Sequence, residues 1–253
     1  MTDPELPNWN WFYLNFPWIG GAAAIVLLIL LFCTNLLRAD QSRPRWLDYT
    51  WLSWMGLLAY LLHNIEEYGA DMFGRLHQFP KDIVRIMELP SYPDCPIPPL
   101  YFVAVNVTMF WIAAPLASIL SRRHPLVGLS VYSIIMVNAV VHIVPSVAGA
   151  GYGAGTLTAA VIFIPLSIWM IRACFGPGRM SYATLALLVA AGILAHAVLM
   201  VPMLLFLKGT IGSTLLVLLQ VMNPFLLMLT LWLGERWRGG SLVHQLPHAD
   251  EGA

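Results

Sequence analysis

The residues best suited to chemistry are an imidazole and two carboxylates within His63-Asn64-Ile65-Glu66-Glu67. On a helix advancing about 100° per residue, Glu66 lies about 60° to one side of His63 and Glu67 about 40° to the other, so the three face one wedge. The string closes an apolar run with the character of a membrane span. A charged side chain at that depth costs roughly 2.5–3.5 kcal/mol on insertion scales and belongs against protein, water, an ion or a substrate. Imidazole nitrogens and carboxylate oxygens are zinc donors, and three of them leave a fourth position for water. Two adjacent carboxylates in an apolar pocket also cannot both ionise easily, so one retains a proton and becomes a general acid.

Other polar residues are expected at the same level. Asn138 and His142, at i and i+4, share a helix face. Asn106 and His196 lie in further apolar runs, and Gln220 and Asn223 read as helix-to-helix glue. The sequence 148–155 has four glycines in eight residues around Tyr152. Such a turn either holds Tyr152 over the site or is a tight reversal between helices. His77 and His124 read as solvated.

Apolar residues make up 59% of the 253 positions and charged residues 10%, against about 25% in soluble domains, with a mean hydropathy of +0.73. The expected fold is an all-α integral membrane bundle of about seven transmembrane helices, at 17–37, 46–68, 100–120, 126–147, 156–171, 182–207 and 211–234. Nine Arg residues fall on one side of these spans; Arg75, Lys81, Arg85 and Lys208 fall on the other. That bias places the N-terminus outside and the C-terminus in the cytoplasm, in what is expected to be a bacterial cytoplasmic membrane, and the polar residues in the outer half. Residues 1–238 then form a single transmembrane domain, and 239–253, with His244 and His248, a short disordered tail. Trp9, Trp11, Phe12, Tyr13 and Trp18 resemble an interfacial aromatic belt. The outer loop 71–99 is expected to hold a short surface helix with Phe79, Ile83, Ile86 and Met87 on its apolar face, serving as a lid or a spacer. Cys33, Cys95 and Cys174 are too dispersed for a disulfide framework or a thiolate metal motif. A net charge of +0 without a large basic cluster argues against nucleic acid as a partner.

His63-Asn64-Ile65-Glu66-Glu67, then Asn138 and His142, then the turn from Tyr152 to Thr158 together resemble the membrane-protein family named for an HxxEE motif, over about 51–171. Where that family has Tyr-x-Pro-Gly, this chain has Tyr152-Gly153-Ala154-Gly155. The resemblance implies a polytopic membrane protein with a catalytic or metal-binding role and no established reaction.

Three functions are weighed. The first is a metal-dependent hydrolase acting on a lipid-like substrate in the outer half of the bilayer. Its catalytic residues would be Glu66, Glu67, His63 and His142, and its metal ligands His63, Glu66 or Glu67, His142 and, if it reaches, His196. Zinc is the first choice and iron the second; the remaining carboxylate would be the general base, and Asn138, Tyr152 and Asn106 would support the substrate. The second is metal-free acid–base isomerisation or cyclisation of a sterol-like or isoprenoid molecule, with aromatic rings shielding a carbocation, by analogy with the emopamil-binding sterol isomerases. The third is a proton- or cation-coupled carrier.

Overall fold

The computed structural model describes residues 3–242. Helix α1, Trp11–Cys33, starts where the Asn10 side chain accepts a hydrogen bond from the Tyr13 N–H at 2.9 Å. Helix α2, Tyr49–Asn64, starts on Asp48, whose carboxylate accepts from the Trp51 N–H at 3.0 Å. Short polar side chains at these positions satisfy donors that a first helical turn leaves free. Helix α3 is Gln78–Ile86. Helices α4, Pro99–Leu120, α5, Pro125–Ala150, and α6, Thr156–Cys174, follow. Helices α7, Tyr182–Leu207, and α8, Ser213–Leu242, complete the chain.

Six of these, α1 and α4 to α8, are long and apolar enough to cross a membrane. Their outward faces carry exposed apolar side chains such as Ile25 and Val26 on α1, Ile193 and Leu194 on α7, and Leu218 and Met222 on α8. So much exposed hydrocarbon suits a multi-pass membrane protein. The expected span 46–68 is a helix but not one of the six, because its regular part is 16 residues and its end is polar. It runs through the interior instead. The Trp51 indole donates to the Leu31 carbonyl of α1 at 3.0 Å, and Tyr132 of α5 donates to the Leu52 carbonyl at 2.8 Å. Helices α5 and α7 meet closely at Gly192, where a Cβ would collide with the Ser133 carbonyl.

π-Helical turns carry α2 onward at Ile65–Gly69, interrupt α4 at Thr108–Ala113 and widen α6 at Ala159–Phe163, while α5 ends in a kinked turn at Ser146–Ala150, where Gly149 leaves helical geometry at φ +102°. π-Helical turns redirect side chains and recur at functional sites. The turns of α2, α5 and α6 cluster at one end of the bundle, around the residues singled out above.

That end is closed by α3 and residues 3–10. Helix α3 is present as expected, with Phe79, Ile83 and Met87 packed inward and Ile86 exposed. Trp9 does not lie in an interfacial belt: the chain folds back through Leu6 N–H to Asp3 O and Trp9 N–H to Leu6 O bonds, and Trp9 inserts 5.9 Å from the Tyr92 ring and 5.7 Å from that of Phe102. Trp11 and Trp18 remain exposed. His77 is buried rather than solvated, with its ring nitrogens 3.0 Å from an Asp3 carboxylate oxygen and 3.1 Å from the Leu14 carbonyl. Lys81 reaches the same Asp3 at 3.0 Å and Glu5 at 2.5 Å. Cys33, Cys95 and Cys174 are unpaired. Helix α8 extends past the expected boundary at 238 to Leu242; the rest of the expected tail, with His244 and His248, lies outside the described residues.

Candidate functional site

His63 occupies the last turn of α2, and Glu67 the π-helical turn that follows; His142 faces them from α5, and all three are buried. The Nε2 atoms of His63 and His142 stand 3.4 and 3.0 Å from one oxygen, Oε1 of Glu67. One donor atom from each residue lies within 4.8 Å of the other two. The imidazole rings sit 5.0 Å apart at 79°.

Glu66 turns the other way. Its Oε1 accepts from the Tyr152 hydroxyl at 2.6 Å and the Leu157 N–H at 3.0 Å; its Oε2 accepts from the Thr158 N–H at 2.7 Å and the Thr158 hydroxyl at 2.5 Å. The residue before α6 is Gly155, which has no side chain to cap the helix. A carboxylate from α2 therefore takes the free N–H groups and the positive end of the α6 dipole. Burial and the neighbouring Glu66 push the Tyr152 phenol above its ordinary pKa, so it stays protonated as a donor to that carboxylate.

The Thr158 hydroxyl also lies 2.7 Å from Nδ1 of His63. Having one proton, which it donates to Glu66, that hydroxyl accepts at His63. Nδ1 is then the protonated ring nitrogen, and Nε2 keeps a lone pair. Nε2 has no hydrogen-bond partner among the described residues, although Oε1 of Glu67 is 3.4 Å away. A lone pair facing a carboxylate oxygen across that gap is stabilised by a proton or a cation between them. A histidine tautomer held by a hydroxyl and a carboxylate behind it is the arrangement that orients imidazole ligands at metal sites.

Gly155 makes the close packing possible. Its φ is +94°, and a Cβ there would lie 2.6 Å from Cε1 of His142 and 2.8 Å from Cε1 of His63. Only glycine combines that backbone conformation with backbone lying flat on two rings.

Glu67 also borders a cavity of about 70 Å³, which Tyr60, Asn106 and Asn138 line together with Phe79 of α3 and Met200 of α7. The Asn138 carboxamide donates to the Tyr60 hydroxyl at 3.3 Å, while its Oδ1 is buried without a partner among the described residues. Asn106 uses its Nδ2 on the Phe102 carbonyl of its own helix. A larger groove of about 480 Å³ between α1, α2 and α4 is lined by apolar and aromatic side chains and holds none of the titratable groups.

The structure thus brings together His63, Glu67 and His142, with Asn138 and Asn106 at the adjoining cavity and Tyr152 on Glu66. It does not bring Glu66 or His196 into the donor cluster. Glu66 and Glu67 are about 100° apart around their helix, so each meets a different neighbour, and Glu66 is engaged by the start of α6. With four donors on its two oxygens it is not free to act as the general base expected of the second carboxylate. His196 is half-buried and gives its Nδ1 proton to the Gly192 carbonyl one turn back in α7 at 2.9 Å.

Thr158 and Gly155 belong to the site although neither stands out by residue type, and Asp82 of α3 joins it from above. Asp82 is buried; it accepts from Arg85 and Gln78 on its own helix and from the Ala154 N–H at 3.4 Å, tying α3 to the glycine turn. The available signal was the threonine two residues into the run that follows the Tyr152–Gly155 turn.

Residues 54–170 match the model of a family described as proteins of unknown function with an HXXEE motif. That stretch contains His63, Glu66, Glu67, Asn138, His142, Tyr152, Gly155 and Thr158. No curated protein and no solved structure matches the chain.

Proposed function

We propose that the protein is a membrane-embedded, metal-dependent enzyme that hydrolyses a bond near the polar end of a lipid-like substrate. His63, Glu67 and His142 would hold the ion. The carrying observation is the buried Nε2 lone pair of His63, held toward Glu67 by the Thr158–Glu66 pair and matched by His142 on the same carboxylate oxygen. Ligands about 2.0–2.1 Å from a tetrahedral zinc stand about 3.3 Å from each other. The observed 3.4 and 3.0 Å fit that spacing within a few tenths of an ångström. Two histidines and one carboxylate suit zinc first and ferrous iron second.

Once bound, such an ion supplies water activation at neutral pH and polarisation of a substrate oxygen. The chain supplies the rest. Thr158 keeps the His63 tautomer, Glu66 keeps Thr158, and Phe79 and the Gly155 backbone shield the imidazoles from solvent. The reading makes α2 a seventh span and sets the site in the outer half of the bilayer, with the C-terminus cytoplasmic. It is supported by the nine Arg residues that fall toward the opposite end of the bundle.

Elemental analysis of detergent-purified protein, prepared without chelators, tests this reading. The parent should carry one equivalent of zinc or iron, and the His63→Ala/His142→Ala variant less than a tenth of that. Equal metal in both, or none in the parent after reconstitution, would overturn it. In the latter case the cavity favours a second reading: the rings of Tyr60, Phe79 and Tyr101 around a single carboxylate suit metal-free acid–base chemistry on an isoprenoid or sterol-like molecule. Activity that survives chelation would point the same way.

A further inference from the structure

The cavity beside Glu67 carries information about the substrate, on the premise that the His63–Glu67–His142 cluster is the reacting centre. We infer that the polar end of the substrate is an uncharged amide- or hydroxyl-bearing group on a hydrophobic body, and that it enters sideways from the bilayer past Met200 rather than from the aqueous loops.

Size is the first observation. A cavity of about 70 Å³ holds a group of a few heavy atoms, whereas sites that engulf whole ligands measure about 300–1,000 Å³. Only the end of the substrate fits, and its body stays in lipid.

Charge is the second. The cavity is lined by one carboxylate, two carboxamides, tyrosines and apolar side chains, with no Lys or Arg among the described lining residues. The basic residues nearest in sequence to its roof are already paired, Lys81 with Asp3 and Glu5 and Arg85 with Asp82. A phosphate group would be desolvated there without a matching guanidinium or ammonium, and its five heavy atoms would crowd the space. An uncharged group makes no such demand.

The third observation is the buried, unpartnered end of the Asn138 carboxamide. A buried amide atom left unpaired is destabilising, and a substrate hydroxyl or amide would supply the missing partner. Access is the fourth. Met200 lines the cavity and is 42% exposed on the outward face of α7, whereas the opposite side is roofed by Phe79 and Ile83 and tied down by Asp82. A flexible thioether side chain between cavity and lipid is the part of this wall best able to move aside.

Thermal unfolding of the purified protein in nonionic detergent, with three twelve-carbon probes, tests the inference. The probes are N-dodecanoylethanolamine, which is uncharged and has both an amide and a hydroxyl, dodecyl phosphate and dodecyltrimethylammonium. The uncharged probe should raise Tm saturably by about 4 °C or more, and neither charged probe should exceed a quarter of that shift. Asn138→Leu should cut the shift at least by half, and Met200→Trp, which plugs the mouth at a position outside the packed core, should abolish it. An equal or larger shift with either charged probe, no shift with the uncharged one, or an unchanged shift in Met200→Trp would overturn the inference. Running the series before and after chelation separates the two readings: the order of the probes judges the substrate class, and metal content judges the ion.

Discussion

Histidine meets glutamate at both ends of this bundle, with different surroundings. At the opposite end, His124 lies 3.3 Å from Glu235 of α8, with side chains 35% and 12% exposed. That pair has one imidazole, a half-open setting and no third donor in a metal-competent group among the described residues. At the site end, two imidazoles share one carboxylate oxygen, all three side chains are buried, a hydroxyl fixes one tautomer from behind, and a cavity opens on the carboxylate. A His–Glu contact alone ties a helix to a loop. Convergent metal-competent atoms, a positioning shell and an adjoining space distinguish a reacting centre from a structural tie.

The sharpest way to break this contrast is to neutralise each glutamate in turn. Glu67→Gln should weaken zinc binding by at least about 100-fold, since it removes the one anionic ligand, and should abolish turnover. Glu235→Gln should leave the metal content at one equivalent. Dialysis against a competing chelator, followed by metal analysis, measures both, and loss of metal in Glu235→Gln would show that the contrast is mistaken. Thr158→Val comes next. It leaves all three proposed ligands in place but removes the acceptor at His63 Nδ1, so metal affinity should fall about 10- to 100-fold, the range for outer-shell partners of metal-bound histidines. Thr158→Ser should restore affinity to within about threefold. A valine variant that binds as tightly as the serine one would remove Thr158 and Glu66 from the positioning role.

Much of this contrast was legible in the residues. The place of His63 at the end of an apolar helix and the i, i+4 pairing of Asn138 with His142 follow from hydropathy and helical period, and the structure does place His63, Glu67 and His142 together. The division of labour between Glu66 and Glu67 was not legible. Helical arithmetic put both in one wedge, but which neighbour each meets depends on where α6 begins, and the Gly-rich turn before it has no side chain that announces a missing cap. The π-helical turns were equally hidden, because one extra residue in a turn leaves the apolar periodicity almost unchanged. The burial of Trp9 and His77 depends on a chain reversal across residues 3–10, and aromatic residues near a membrane boundary read the same whether they face lipid or Tyr92 and Phe102.

The smallest expected effect probes whether the cap over the site is part of it. Lys81 bridges Asp3 and Glu5, joining α3 to the N-terminal segment, and its side chain is only 20% exposed. Glu5, at 71%, is largely solvated, so that half of the bridge contributes little, and the more enclosed Asp3 contact carries the rest. Lys81→Met keeps most of the aliphatic stem and removes the charge. His77 continues to hold Asp3 at 3.0 Å, so the cap should stay docked, with a stability loss of about 1 kcal/mol or less. In thermal unfolding this amounts to a Tm decrease of a few degrees at most, with the metal content unchanged. A Lys81→Met protein that keeps its Tm yet loses metal would mean that the cap positions α3 over the imidazoles. Phe79, 5.8 Å from the His142 ring, would then belong to the centre as much as Thr158 does.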